Sequence, residues 1–495
     1  MRPGARRAAL LVAWLGLVCT GSGCGRGAPP DVLLITIDTL RPDHLSAYGS
    51  RRRPTPDIDR VAHDGALFLN ARADTPWTTP SMASVLTGTY ATAHGLKSTS
   101  VNRLRPEAVT LAELLRDHGY DTAAIVGSFP VDSIFGLDQG FALYDDHFTK
   151  PIFVFPDHQM EHVESRFSEN LADRAMFTLW KAANDSRRDD SEVTDAAIAW
   201  LATPPKRPFF LWVHYFGPHG RPDWRVPPDQ RERLHLESYD RELRETDRQV
   251  GRLLDDLDAR GLSANTLVVL HADHGESLGE QHYVGHGMLL NEATLRIPLM
   301  LRWPGRIPPG QRLARPAQNV DILPTVLAAT GIPEPAGLAG QSLLADAERG
   351  RPSRDDGGSS RVAYMETYYS AHRGFAKPVT LPDGTQAKLG LVRRGVQQGR
   401  WKLVRTEAHP LFDVPAEDAP VIPEEMQRAE FREELFDLAG GDVYDVISQH
   451  PDVAARLRAL LDAEIAKEKE APPAPSAPLD PEMRKRLQSL GYAPG

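Results

Sequence analysis

Five short apolar runs, each set in polar sequence, constrain the fold of this chain more than any other feature. The first, VLLITI over Val32–Ile37, stops at Asp38. Unbroken apolarity, without the alternation of a half-buried strand, is the pattern of a strand covered on both faces, as in a parallel sheet packed between helices. Thr122–Val126, Phe209–Val213, Thr266–Leu270 and Ile297–Leu301 repeat the pattern. Helix-like stretches fall between them, at Glu107–His118, Asp195–Leu201 and Leu236–Ala259, the last amphipathic and closed by Arg260-Gly261 as a C-cap. Strands alternating with helices predict an α/β/α sandwich with a mostly parallel central sheet. In such sheets, sites lie beyond the carboxyl ends of the strands. Asp38 and the pair Asp273-His274 both stand just past a strand end.

At 495 residues one core is near its practical limit, so a large domain plus a smaller one is expected. The polar stretch 349–361 reads as a linker. It divides a catalytic domain over 31–348 from a C-terminal α+β region over 362–495. That region carries strand-like runs at Gly390–Val396 and Trp401–Arg405, a helix from Pro451 to about Lys469, and an extended proline-alanine spacer over Pro472–Pro478. No internal repeat and no glycine-rich phosphate loop is present.

The N-terminus orders three arginines (Arg2, Arg6, Arg7), an apolar run from Ala8 to Val18, and small residues up to Cys24. This is the order of a secretory signal peptide, and the run is too short to span a bilayer. Cys24 after Gly21-Ser22-Gly23 resembles a bacterial lipoprotein processing site, so a lipid anchor and simple cleavage are both open. The expected location is outside the cytoplasm, in the periplasm or at the cell surface. Removing residues 1–24 moves the formal charge from −10 to −13, which argues against nucleic acid as a partner. Both cysteines, Cys19 and Cys24, lie in that segment. Disulfide frameworks, sulfur-ligated metals and cysteine nucleophiles are thereby excluded from the rest of the chain.

Hard-metal ligands concentrate in three places: Asp38 in ITIDTLRPDHLSAYG, the segment TPWTTPSMASVLTG over 75–88, and HADHGESLGEQHYVGHG over 271–287. Oxygen and imidazole donors without sulfur suit zinc, manganese or magnesium. These motifs, in this order, resemble the sulfatase branch of the alkaline phosphatase superfamily. NVDILPTVLAATGIPEP over 319–335, GRWKLVR, ELFDL and the final LDPEMRKRLQSLGY add to the likeness, which covers most of residues 31–495.

The resemblance implies a hydrolase acting on ester bonds, with Asp38, Asp273 and His274 as metal ligands and Thr78 at the nucleophile position, itself bound to the metal. Zinc or manganese is expected first, with calcium or magnesium also open. Formylglycine sulfatases carry cysteine or serine where this chain has Thr78. Oxidation of threonine gives a ketone rather than an aldehyde. Proline is kept as Pro80, but the family's arginine is Met82. Its GKWH sulfate clamp is Gly127-Ser128-Phe129-Pro130, and its second metal aspartate is Thr39. Threonine nucleophiles belong to the phosphoesterase and phosphotransferase members, where a metal stabilises the alkoxide.

His286, twelve residues after His274, and His219, in Gly217-Pro218-His219-Gly220, are read as catalytic residues that bind the transferred group or a second metal. His214 and His282 are weaker candidates, and Glu276 is read as orienting a ligand. His94 is read as structural and Lys97 as solvated, Asp240 and Asp247 as solvated or paired charges, and Tyr364, Tyr368, Tyr369 and Phe375 as packing of the second region. The expected activity is hydrolysis of a phosphate mono- or diester or a phosphonate ester through a covalent threonine intermediate. The substrate would be a small-molecule, glycan or lipid ester. Sulfate-ester hydrolysis of the arylsulfatase type, phosphoalcohol transfer, and a non-catalytic surface binding protein that kept the fold are the alternatives. Loops 146–170 and 355–390 would set specificity.

Overall fold

The computed structural model describes residues 28–51, 55–97, 102–151, 185–203, 208–219, 228–349, 361–369, 377–380, 386–410 and 431–468. The N-terminal signal segment, the greater part of the linker and of loop 146–170, half of loop 355–390, and the proline-alanine spacer lie outside these residues.

Asp31–Ile37 forms a strand buried at every position, as its unbroken apolarity requires. It is flanked on both sides by parallel partners, Phe209–Tyr215 and Thr266–His271. The full sheet has eight strands in the order Gln311–Gln318, Ala66–Arg72, Leu299–Arg302, Thr266–His271, Asp31–Ile37, Phe209–Tyr215, Asp121–Val126, Leu143–Asp145. All pairings are parallel except those of Leu299–Arg302, which runs antiparallel to both neighbours. The apolar run at 297–301 therefore marks a doubly covered strand, as read, but one of reversed direction.

Helix ends follow local chemistry. Thr110 and Glu113 exchange reciprocal bonds, a capping box that starts the helix at Leu111 rather than Glu107. Asp189 and Glu192 do the same for Asp190–Ala202, five residues earlier than the hydrophobic pattern begins. The longest helix, Pro228–Ala259, buries Tyr239, Leu243, Thr246, Val250, Leu253, Leu254 and Leu257 along one stripe.

Beyond the linker, a separate antiparallel sheet is ordered Val362–Tyr369, Gln386–Gln398, Trp401–Pro410, Arg432–Asp437, with Lys377–Thr380 paired to the second of these. The helix Pro451–Glu468 packs its Leu457 and Leu461 against Val396, Leu403 and Leu435, and Tyr90 and Val320 of the first domain enter the same cluster. Tyr364 is buried in that cluster and Tyr368 is buried on the same strand, consistent with packing. The side chain of Tyr369 and all of Phe375 lie outside the described residues. No helix among the described residues is long and apolar enough to cross a membrane.

Candidate active site

The three central strands deliver functional groups just past the sheet: Asp38 one residue beyond Ile37, Asp273 two beyond His271 and His219 four beyond Tyr215. Asp38 follows Ile37 directly, and its backbone N–H still donates to Tyr215 O at 3.0 Å. The chain then turns sharply. Thr39 adopts φ +58°, a left-handed conformation that costs a β-branched residue roughly 1–2 kcal/mol. Surrounding bonds hold it there: Thr39 N donates to Asp273 Oδ1 at 3.2 Å, Tyr239 OH donates to Thr39 O at 2.9 Å, and Arg41 N donates to the Tyr239 oxygen at 2.9 Å. Tyr239, in the middle of the long helix, thus sets the turn that aims Asp38. No motif in the sequence announces it.

Asp38, Asp273 and His274 are all fully buried, and one ligand atom from each lies within 4.8 Å of the others. His274 Nδ1 faces Gly275 O at 2.9 Å. A carbonyl only accepts, so Nδ1 carries the hydrogen and Nε2 presents a lone pair. That lone pair meets Thr78 Oγ1 at 3.1 Å. Thr78, 3% exposed, is the first residue of the helix Thr78–Thr87, whose amino end favours negative charge on the hydroxyl oxygen.

The electrostatics of this cluster call for a cation. Neither oxygen of Asp38 has a hydrogen-bond partner, nor does Asp273 Oδ2. Burial, followed by the charges of Asp273, Glu276 and Asp190, pushes the Asp38 carboxyl well above its usual range. Burial also acts on Asp273, but His274, His214 and the backbone N–H groups of His274 and Thr39 outweigh it and hold that carboxyl low. Buried polar atoms without partners are rare in proteins, and carboxylate oxygens beside a neutral imidazole form a donor set suited to a hard or borderline divalent ion. The residues present therefore fit a metal.

His286 and His219 join the same pocket. The His286 ring lies 4.5 Å from His274 and 5.1 Å from His219, centroid to centroid. His286 Nδ1 faces the buried Glu276 carboxylate at 3.3 Å, so Glu276 orients His286 and leaves Nε2 for the site. His219 stacks on Phe216, and its buried Nδ1 has no partner. Burial, then His286, lowers the His219 pKa to about 3, so the ring is neutral. Trp77, which the sequence did not single out, stands edge-on to His286 and bonds Thr367 of the second sheet at 3.1 Å.

His214 sits level with Thr36, two residues below Asp38, and neither of its ring nitrogens has a partner. His282 is exposed and lies apart from the cluster. Ser128 and Pro130 occupy the clamp position beside the helix: Thr79 Oγ1 donates to Pro130 O at 2.5 Å.

Of the bland readings, those of Asp247 and Lys97 change and that of Asp240 holds in its paired form. Asp240 is buried and receives His44 Nδ1 at 2.8 Å, and Asp247 caps the helix Pro56–His63 by accepting from Ile58 N at 2.8 Å. Asp240 is thus paired, as read, whereas Asp247 is not solvated but serves the helix end, because their helix face packs inward. Lys97 is half-buried with its ammonium over the Tyr368 ring at 4.8 Å, rather than free in solvent. His94 is buried and bonded within the fold, as read.

The sequence profile of the sulfatase family matches residues 30–332. The chain is 27% identical to rat steryl-sulfatase (Rattus norvegicus) over 425 residues, covering 68% of this chain and 73% of that protein. It is 28% identical to an ulvan-active sulfatase of Formosa agariphila over 341 residues, covering 63% and 64% respectively. Its fold is similar to that of the phosphonate monoester hydrolase of Agrobacterium radiobacter, with a TM-score of 0.61 and 20% identity over 89% of this chain and 96% of the other.

Proposed function

Because the chain belongs to the sulfatase family and is an ester hydrolase of that family, we propose that it cleaves a phosphate or phosphonate ester by attack of Thr78 on phosphorus. Asp38, Asp273 and His274, with Thr78 itself, would hold one divalent ion, zinc or manganese. The observation that carries this reading is the 3.1 Å approach of Thr78 Oγ1 to His274 Nε2, beside carboxylate oxygens that have no partner. A bound cation lowers the pKa of a coordinated oxygen by several units, which makes an alkoxide accessible at neutral pH.

The chain's own groups would do the rest. Thr78 Oγ1 bonds to phosphorus as the ester P–O bond breaks, and the leaving alcohol takes a proton. Water then attacks phosphorus, the Thr78 Oγ1–P bond breaks, and phosphate or phosphonate leaves as Thr78 regains a proton. His219 would donate its ring N–H to a transferred oxygen, and His286, whose Nδ1–H goes to Glu276, would turn its Nε2 lone pair to the site as an acceptor for the proton of the attacking water. Their orientation is fixed by Phe216 and Glu276. The methyl group on the Thr78 carbinol carbon forbids an aldehyde hydrate, so release must come from attack at the transferred atom.

The curated relatives favour a second reading, in which the same threonine takes a sulfuryl group. Rat steryl-sulfatase and the ulvan-active sulfatase are sulfatases by name, so a sterol-like or glycan sulfate is the substrate class under that reading. Export, with or without a lipid on Cys24, would place either activity in the periplasm or at the cell surface. Turnover of aryl phosphate, phosphodiester, phosphonate and sulfate esters by the wild type and Thr78→Ala separates the readings. A phosphorus ester cleaved best, with loss in Thr78→Ala, is expected. A sulfate ester cleaved best, with activity kept in Thr78→Ala, overturns the threonine mechanism.

A further inference from the structure

Behind the nucleophile lies a buried polar network that no step above uses. Asp74 is fully buried, four residues before Thr78. Its Oδ2 accepts from Ser84 Oγ at 2.6 Å, and its Oδ1 accepts from Asn319 Nδ2 at 2.7 Å. One carboxylate thus pins both ends of the segment 74–84, with Thr78 between them.

The direction of every bond is fixed. Leu96 N–H donates to His94 Nδ1 at 3.1 Å, so the His94 hydrogen is on Nε2 and points to Ser84 Oγ at 3.1 Å. Ser84 therefore has its own hydrogen free for Asp74. Asn319 Oδ1 accepts from Asp74 N at 3.2 Å and Val320 N at 3.1 Å, which fixes the amide orientation. Asn319 Nδ2 also donates to Ser81 Oγ at 2.9 Å, and Ser81 Oγ donates to Asp273 O at 2.7 Å. The Asp273 carbonyl belongs to the peptide joining Asp273 to His274, and His274 meets Thr78. Helix and metal loop are thereby bolted together through Ser81.

The second sheet grips the same point. Glu366 N donates to Asp74 O at 2.8 Å. The buried Glu366 carboxylate accepts from Thr92 N at 3.0 Å, Tyr364 OH at 3.1 Å and Tyr368 OH at 2.6 Å.

We infer that Asp74 is a positioning residue for the nucleophile: its carboxylate, acting through Ser84, Asn319 and Ser81, holds Thr78 in register with the Asp273-His274 loop, and Glu366 anchors it from the C-terminal region. This inference rests on the reading of Thr78 as the nucleophile. Ser84, Asn319, Glu366 and Tyr90 bear on Asp74, with His94 behind Ser84 and the cations Arg105 and Lys97 beyond His94. Each direct partner donates to the carboxylate, so the network requires its ionised form. Burial, opposed by Ser84 and Asn319 and aided by Glu366, pushes Asp74 up to about 7. An acid limb near neutral pH is therefore built into the helix support.

The test compares Asp74→Asn, Ser84→Ala and Ser84→Thr with the wild type, using the best ester from the panel above. Misplacing a reacting group by about 1 Å costs on the order of a hundredfold in rate. Asp74→Asn and Ser84→Ala should therefore lower kcat by roughly ten- to a hundredfold, with KM and zinc or manganese affinity by calorimetry little changed. Asp74→Asn should also lose the acid limb of the kcat–pH profile, and Ser84→Thr should restore most of the rate. Hydrogen exchange at the amides of residues 78–87 should quicken in Asp74→Asn. Unaltered exchange, or an unaltered pH limb, overturns the inference whichever ester is cleaved. If Thr78→Ala keeps full turnover while exchange still quickens in Asp74→Asn, the nucleophile reading has failed and the support network stands.

Discussion

Replacing Asp38 by asparagine should stabilise the protein without its cation and weaken it with the cation bound. Asp38 is fully buried, both its oxygens lack partners, and the charges nearest to it are the carboxylates of Asp273, Glu276 and Asp190. Each unit by which such a setting raises a carboxyl pKa represents about 1.4 kcal/mol of ionisation cost. At pH 8 the chelated wild type bears that cost and Asp38→Asn does not. A cation at a thousand times its Kd returns about 4 kcal/mol. At roughly 2–4 °C per kcal/mol for domains of 150–250 residues, and less for larger ones, the wild-type Tm should rise by roughly 5–10 °C. Scanning calorimetry at pH 8, with chelator and then with zinc or manganese, reads both effects. Asp38→Asn should start above the chelated wild type and gain little on metal addition. Below about pH 3 the chelated difference should vanish, because the carboxyl then holds its proton folded and unfolded alike. A wild type whose Tm ignores the metal, or a variant that gains as much as the wild type, would refute the reasoning.

Asp247 is pushed up to about 7 by burial, with Asp57 and Asp59 adding to it against the Ile58 N–H. Its stability penalty therefore grows as pH rises from about 4 to about 7. Asp247→Asn keeps an acceptor for the helix cap and should gain on the order of 2 kcal/mol at pH 8, and nothing at pH 4, in urea unfolding. Gly287 has φ +92°, and a Cβ there would lie 2.3 Å from the Trp77 ring. Gly287→Ala should displace Trp77 and its neighbour His286, lowering kcat by roughly tenfold or more with the fold kept by circular dichroism. Lys402 is 1% exposed at its side chain and joins Glu292 at 3.0 Å, Asp442 at 3.1 Å and Leu290 O at 2.9 Å. Lys402→Met leaves two carboxylates beside an apolar chain and should cost about 3–5 kcal/mol in denaturant unfolding.

Features written locally were readable from the sequence. Strand Asp31–Ile37 is apolar at nearly every position because both its faces are covered, and Asp38, Asp273 and His274 stand within three residues of strand ends. The direction of Leu299–Arg302 was not readable, since an apolar run reads the same from either end. The long helix begins at Pro228, before its apolar stripe, because its first turns carry no period to detect. Tyr239, Trp77 and the Asp74–Ser84–Asn319 network are joined to their partners across up to 290 positions of sequence. Each of those residues taken alone is an ordinary helix, loop or turn residue. Thr78 was found by its motif, but its bond to His274 needed the fold.

The central claim is that Thr78 carries the transferred group, and a covalent adduct tests it most directly. The enzyme is quenched with acid during steady turnover of its best phosphorus ester, digested, and the peptide bearing Thr78 is sequenced by fragmentation mass spectrometry. The account predicts one phosphoryl group on Thr78, dependent on substrate and absent from Thr78→Ala. An unmodified Thr78 peptide, together with undiminished turnover by Thr78→Ala, would contradict it.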